Sequence, residues 1–137
     1  MEPALALQVA VRALLANTAS VTTLVPDTSI LDLNQRPSVM PAILIGEGQT
    51  VPDTGLARDR HQVYLDFHIW AQEAGTALSK QIAGAIRDAL FDALWSIPAL
   101  VVADAHITSA RFLRDPDSVH SHAVMTLTCR VKEAALQ

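Results

Sequence analysis

The clearest pattern in the chain is a run of strict alternation. Across HQVYLDFHIWA, Val63, Leu65, Phe67 and Ile69 fall on one side, and Gln62, Tyr64, Asp66, His68 and Trp70 on the other. A period of two marks a half-buried β-strand. The period then changes. Leu78, Ile82, Ile86, Leu90 and Leu94 recur every fourth residue with Ala85, Ala89 and Ala93 beside them, while Lys80, Arg87, Asp88 and Asp92 lie off that stripe. This predicts an amphipathic helix over 76–95, with Thr76 as its N-cap and Pro98 as its stop.

The rest of the chain is organised around these two elements. Near the start, Leu7, Val11, Leu14 and Leu15 recur at helical spacing, and Pro3 suits a first turn, so a helix is predicted over 3–16. Only Gln8 and Arg12 are polar in its middle, which predicts cover on most of its sides. A proline-punctuated connector follows, with a short strand at Ser29–Leu33. AILIG, residues 42–46, is a continuous apolar run and reads as a buried strand. GEGQTVPDTGLARDRH is the longest polar stretch and predicts a long loop over 47–60.

Two further strands are expected at about 101–114 and 119–132, joined by the tight-turn chemistry of RDPDS. The order helix, strand, strand, helix, strand, strand implies an α+β fold. It is a mainly antiparallel sheet of four to five strands with two helices packed on one face. One domain spanning residues 1–137 accounts for the length.

Phasing the last strand sorts its chemistry. Ala123, Met125, Leu127, Cys129 and Val131 share the core face. His120, His122, Val124, Thr126, Thr128 and Arg130 share the other. Cys129 therefore points away from both histidines and reads as a small buried hydrophobe. His120 and His122 project together and, with His68, form the one conceivable metal-ligand set. A small metal-dependent enzyme built on His68, His120 and His122 is thus one alternative. Asp115 and Asp117 read as turn formers.

No G-x-S-x-G and no nucleophile patterned beside a histidine is present. GEG lacks the Lys-Ser/Thr and the following helix of a phosphate loop. The chain reads as a non-enzyme that needs no cofactor or metal.

Composition narrows the class further. A net charge of −4 disfavours tight duplex binding. No apolar run reaches the length of a bilayer span, so no membrane partner is expected. Glu2 and Arg12 argue against a secretory leader. The outward positions of the two patterned strands are unusual: Tyr64, His68, Trp70 and Thr126 form an aromatic and polar face of the kind interfaces use. An assembly protein is the natural class.

LVPDTSILDL, RPSVMPAILIGEG, VYLDFHIWAQEAGTALSKQIAGAIRDAL and RFLRDPDSVHSHAVMTLTCRV together resemble one family over residues 5–132. It comprises the tail completion, or tail terminator, proteins of siphophages and the related gene transfer agents. Pro41 before an apolar strand ending at Gly46, Trp70 followed by Gly75, the helix Ala77–Leu94 and the RD turn before His120 carry the likeness.

The resemblance implies a structural virion protein at the head–tail junction. It would be a homo-hexameric ring on the head-proximal end of the tail tube, binding the tail tube protein below and the head connector above. DNA would pass through its lumen without sequence-specific binding. Another connector or minor tail protein of similar fold is the nearest alternative. The expected contact residues are Tyr64, His68, Trp70, Thr126, His120 and His122 on the sheet face, with Arg58 and Arg60 on loop 47–60 as an arm.

Overall fold

A computed structural model describes residues 1–33 and 35–134. Helix α1 (Pro3–Ala16) opens the chain, followed by a single turn of helix, α2 (Ala19–Thr22). Strand β1 is only Ile30–Leu31, shorter than the Ser29–Leu33 expected from sequence. Then come β2 (Ala42–Pro52), β3 (Arg60–Gln72), α3 (Ala77–Phe91), β4 (Leu100–Arg114) and β5 (His120–Glu133). The five strands lie in the order β1-β2-β3-β5-β4, antiparallel except for the β1–β2 pair.

One face of the sheet carries the core. Val63, Leu65, Phe67 and Ile69 of β3 and Ala123, Met125, Leu127, Cys129 and Val131 of β5 are all buried there, as the alternation predicted. The helices cover this face, with Leu7, Val11 and Leu15 of α1 and Ile82, Ile86 and Leu90 of α3 in the same cluster. Glu2 caps α1 by accepting from the Ala4 amide, and its Oε1 takes a 2.8 Å bond from the Thr50 hydroxyl. That bond ties the start of the helix to the end of β2.

Three expectations are corrected. The first is the long loop at 47–60. β2 runs on to Pro52, paired in register from Glu47↔Asp66 to Pro52↔His61, and only a short turn remains. The template strand β3 overrides the weak local signal. Gly48 permits the close approach, because a Cβ there would lie 3.0 Å from Leu65 Cδ2 and 3.2 Å from the Tyr64 carbonyl.

The second is the length of α3, which stops at Phe91 rather than reaching 95. Trp95 and Ile97 pack back against the core, and Leu94 is left exposed. The third is its cap. Thr76 occupies the N-cap position but its side chain makes no capping bond. Glu73 does this instead: its two carboxylate oxygens accept from the Leu78 and Ser79 amides at 2.9 Å each.

Candidate functional site

The outer face of the sheet is partly roofed by the connector between β1 and β2. Arg12 anchors β1 and the turn that leads into it by donating to the carbonyls of Ile30 (3.1 Å) and Asp27 (3.2 Å). The roof explains why AILIG is apolar on both sides. Ile43 and Ile45 face the core, while Leu44, opposite His68, is buried on the outer face.

Under the edge of the roof the aromatic and histidine side chains form a stack. His68 and His122 sit across β3 and β5, with His68 Nδ1 2.8 Å from His122 Nε2. The His122 ring lies 4.1 Å from that of Trp70, nearly parallel at 10°. The Arg36 guanidinium also lies over the Trp70 ring, 5.4 Å from its centroid. At the far end, His68 Nε2 lies 3.0 Å from Glu47 Oε1, close but poorly aligned for a hydrogen bond. Burial and the neighbouring His68 push His122 below the ordinary histidine value, so it favours the neutral form.

Arg36 joins this stack to an ionic cluster. It donates to Asp117 Oδ2 at 2.6 Å and reaches Asp115 Oδ2 at 3.4 Å. His120 Nδ1 lies 2.6 Å from the same Asp117 oxygen and also contacts Arg36. Hydrogen bonding to Arg36 holds the Asp117 carboxyl well below the usual carboxylate range. The two aspartates are turn formers, as expected: Asp117 Oδ1 accepts from the Val119 and His120 amides, and the Asp115 carbonyl accepts from the Ser118 amide. They also clip the connector to the β4–β5 hairpin, which sequence reasoning missed. Nothing local to Arg36 indicates a partner some eighty positions away.

The structure brings only part of the candidate metal set together. His68 and His122 meet, but His120 turns to Asp117 and Arg36. Asp115, Asp117 and His120 do converge, with one potential ligand atom each within 4.8 Å of the others. The guanidinium of Arg36 already supplies the positive charge that this cluster needs. Cys129 is buried, and burial pushes its thiol up to about 12, which leaves it unreactive.

The remaining candidates occupy the open part of the face or the opposite end of the sheet. Tyr64 donates to Gln62 (2.7 Å) and Thr126 to Asp66 (2.8 Å) beside an open trough. Arg58 and Arg60 lie in and just after the β2–β3 turn, both exposed. From Arg60 to His68 is eight residues of β3, about 26 Å at the rise of a strand. The proposed contact residues therefore form two separate groups.

The fold now places the chain among known proteins. The profile of the family described as tail completion protein gp17 matches residues 9–132. The chain belongs to this family. It is a structural protein of a phage-like virion tail and not an enzyme.

Two solved structures share the fold. A chain of the virion of a native gene transfer agent particle superposes with a TM-score of 0.77 at 22% identity, over 92% of this chain and 94% of that one. The gp17 protein of bacteriophage SPP1 gives 0.61 at 19% identity, over 92% and 88%. No curated protein matches the sequence significantly. Among the described residues, no helix of this tail completion protein is long and apolar enough to cross a membrane.

The Arg36 clip makes a direct prediction. Arg36→Ala frees the connector from Asp115, Asp117 and Trp70 while leaving the core intact. Amide exchange over residues 35–40 should then rise severalfold, and Trp70 should become more solvent-exposed by fluorescence quenching. Arg36→Lys should rescue poorly, because an ammonium cannot span both aspartates and lie flat on the indole. Unchanged exchange in the alanine variant would show that the connector is held by other contacts.

Proposed function

We propose that the chain closes into a homo-hexameric ring at the head-proximal end of the tail tube. There it terminates tube polymerisation and joins the tail to the head connector. The observation that carries this reading is a sheet open at both sides. Beyond its short pairing with β1, the edge of β2 over residues 46–52 has no strand partner among the described residues. The outer edge of β4 has none along its fifteen residues.

These are two different surfaces on opposite sides of one molecule, as a head-to-tail ring contact requires. Each strand is antiparallel to the next from β2 through β3 and β5 to β4, so β2 runs antiparallel to β4. A copy placed alongside continues the same pairing. Two irregularities in the β4–β5 register, at Val102/Asp104 and Ile107/Ser109, coil β4 and suit it to a curved assembly. The number six rests on the family resemblance.

Tyr64, His68, Trp70, Thr126, His120 and His122 then serve as one contact face, and Arg58 and Arg60 as another. The net charge of −4 suits a lumen through which DNA slides without sticking.

The test is to assemble tails without this chain and then add it back. Tubes made in its absence should overrun their normal length and fail to join heads. Added protein should restore both, with six copies per tube end by mass measurement. Tubes of normal length that join heads without it would sink the terminator reading and favour a minor tail role.

A further inference from the structure

The two open edges of the sheet carry opposite charge. Residues 42–57, which hold β2 and most of the turn after it, include Glu47 and Asp53 but no lysine, arginine or histidine. Glu2 adds a carboxylate, bonded to Thr50. Glu47 lies opposite Asp66 of β3, and its nearest cationic group is His68 at 3.0 Å. Arg58 and Arg60 lie past the far end of β2, in and after the turn.

β4, at the other edge, contains His106, Arg111, Arg114 and one acid, Asp104. That acid is already engaged: it lies opposite Arg130 of β5, and its Oδ2 is 3.1 Å from His106 Nδ1. Asp115, just beyond the strand, is held by Arg36. Arg111 and Arg114 are exposed, and neither makes an ion pair among the described residues.

The registers set these charges at matching levels. Glu47 pairs with Asp66, Asp66 with Thr126, and Thr126 with Ser109. Gln49 leads in the same way through Tyr64 and Thr128 to His106. Arg111 is two residues on from Ser109 with unbroken pairing between them, so it shares the outer face with Glu47. The acid of one edge and the free cation of the other therefore lie one pair apart in height and on the same face.

We infer that copies of this chain join edge to edge, residues 46–52 of β2 antiparallel to the outer edge of β4 in the next copy, with Gln49 opposite His106 and Glu47 reaching Arg111. This rests on the ring reading above and specifies which surfaces close the ring and in what register. Glu47 then faces Ser109 of the next copy, and Arg111 is its diagonal neighbour about 7–8 Å away, within the span of two long side chains. The competing contacts are self-pairings. Two β2 edges would bring acid against acid, and two β4 edges arginine against arginine. Like charges across a strand pair destabilise it, and such two-fold contacts stop at a dimer. The charge pattern thus favours the head-to-tail contact over both alternatives.

The experiment uses the full-length protein, alone and on tail tubes assembled without it. In a Gln49→Cys, His106→Cys double variant, mild oxidation should link copies into a ladder that ends at the closed ring. Cys129 is buried and does not compete. Either single variant should give no ladder. Glu47→Arg alone and Arg111→Glu alone should each raise the concentration needed for assembly at least tenfold. The two together in one chain restore opposite charge at every contact and should return it to within about threefold of wild type. That rescue separates a lost contact from a lost fold. If the wild type stays monomeric both in solution and on tubes, the ring reading falls and this inference with it. If rings form but the cysteine pair does not link them, or the double charge swap assembles no better than the singles, the ring reading stands and the edge assignment is wrong. A dimer linked by Gln49→Cys alone would establish β2 self-pairing and overturn the assignment as well.

Discussion

Replacing Glu73 by alanine is expected to lower folding stability by about 2–4 kcal/mol, read as a lower urea midpoint at unchanged slope. The carboxylate satisfies two amides at the start of α3 and also accepts a 2.6 Å bond from the Ser121 hydroxyl. Ser121 is fully buried, so its hydroxyl would be left without that partner. Ser121→Ala on top of Glu73→Ala should therefore add little. Thr76→Ala, by contrast, should stay within about 0.5 kcal/mol of wild type, because its side chain makes no cap bond.

The same residue sets an acid limit. Burial by itself would raise the Glu73 carboxyl. Bonds from the Ser121 hydroxyl and the Leu78 and Ser79 amides, with the Ser79 side chain, outweigh it and hold the group below its ordinary 4.5. The folded state thus binds this proton less readily than the unfolded state. The contribution is fully present above 4.5 and is lost as pH falls through the lower folded value. Glu73→Gln cannot ionise, so the stability gap between it and wild type should be flat above pH 5 and shrink in more acidic buffer. A gap that holds constant into strong acid would show that Glu73 is not acting as a carboxylate.

Phe67→Ala is the second large effect, about 3–5 kcal/mol. The ring is fully buried at the centre of β3, flanked by Ile45 on β2 and Met125 on β5. Truncation leaves a cavity beneath both long helices, which the flexible Met125 side chain can fill only in part. Against the few kcal/mol by which single domains are stable, this is enough to reduce soluble yield sharply. Phe67→Leu keeps most of the volume and should retain a cooperative unfolding transition. If the alanine variant melts like wild type, the core is less tightly packed than its burial indicates.

The legible parts of this fold are those where periodicity is unbroken. β3 and β5 alternate without interruption, and their core and outer faces follow directly, including the separation of Cys129 from His122 and the apposition of His68 with His122. β4 resists the same treatment. Its inward residues Leu100, Val102, Ala105, Ile107 and Phe112 skip phase, because register shifts interrupt its pairing with β5. The extension of β2 past Gly46 was hidden by glycines and a proline that its partner strand overrides. The helix cap was misplaced by three residues because Glu73 acts from before the N-cap position. Arg36 was missed for a different reason. Its partners Asp115 and Asp117 are adjacent only in the folded molecule, and their turn chemistry alone was sufficient to explain them.

The strand order also bears on how the molecule comes to exist. Of the five strands β5 is synthesised last, yet it is inserted between β3 and β4, so an interior strand of the sheet arrives after both of its neighbours. Until then a nascent chain carries β3 with one edge unpaired and its row of Val63, Leu65, Phe67 and Ile69 only half covered. That is the kind of long, sticky strand that folded proteins avoid exposing. Arrival of β5, rather than helix formation, sets the moment at which the facing edges of β3 and β4 are no longer open to stray pairing, and a chain lacking β5 would leave both of them bare.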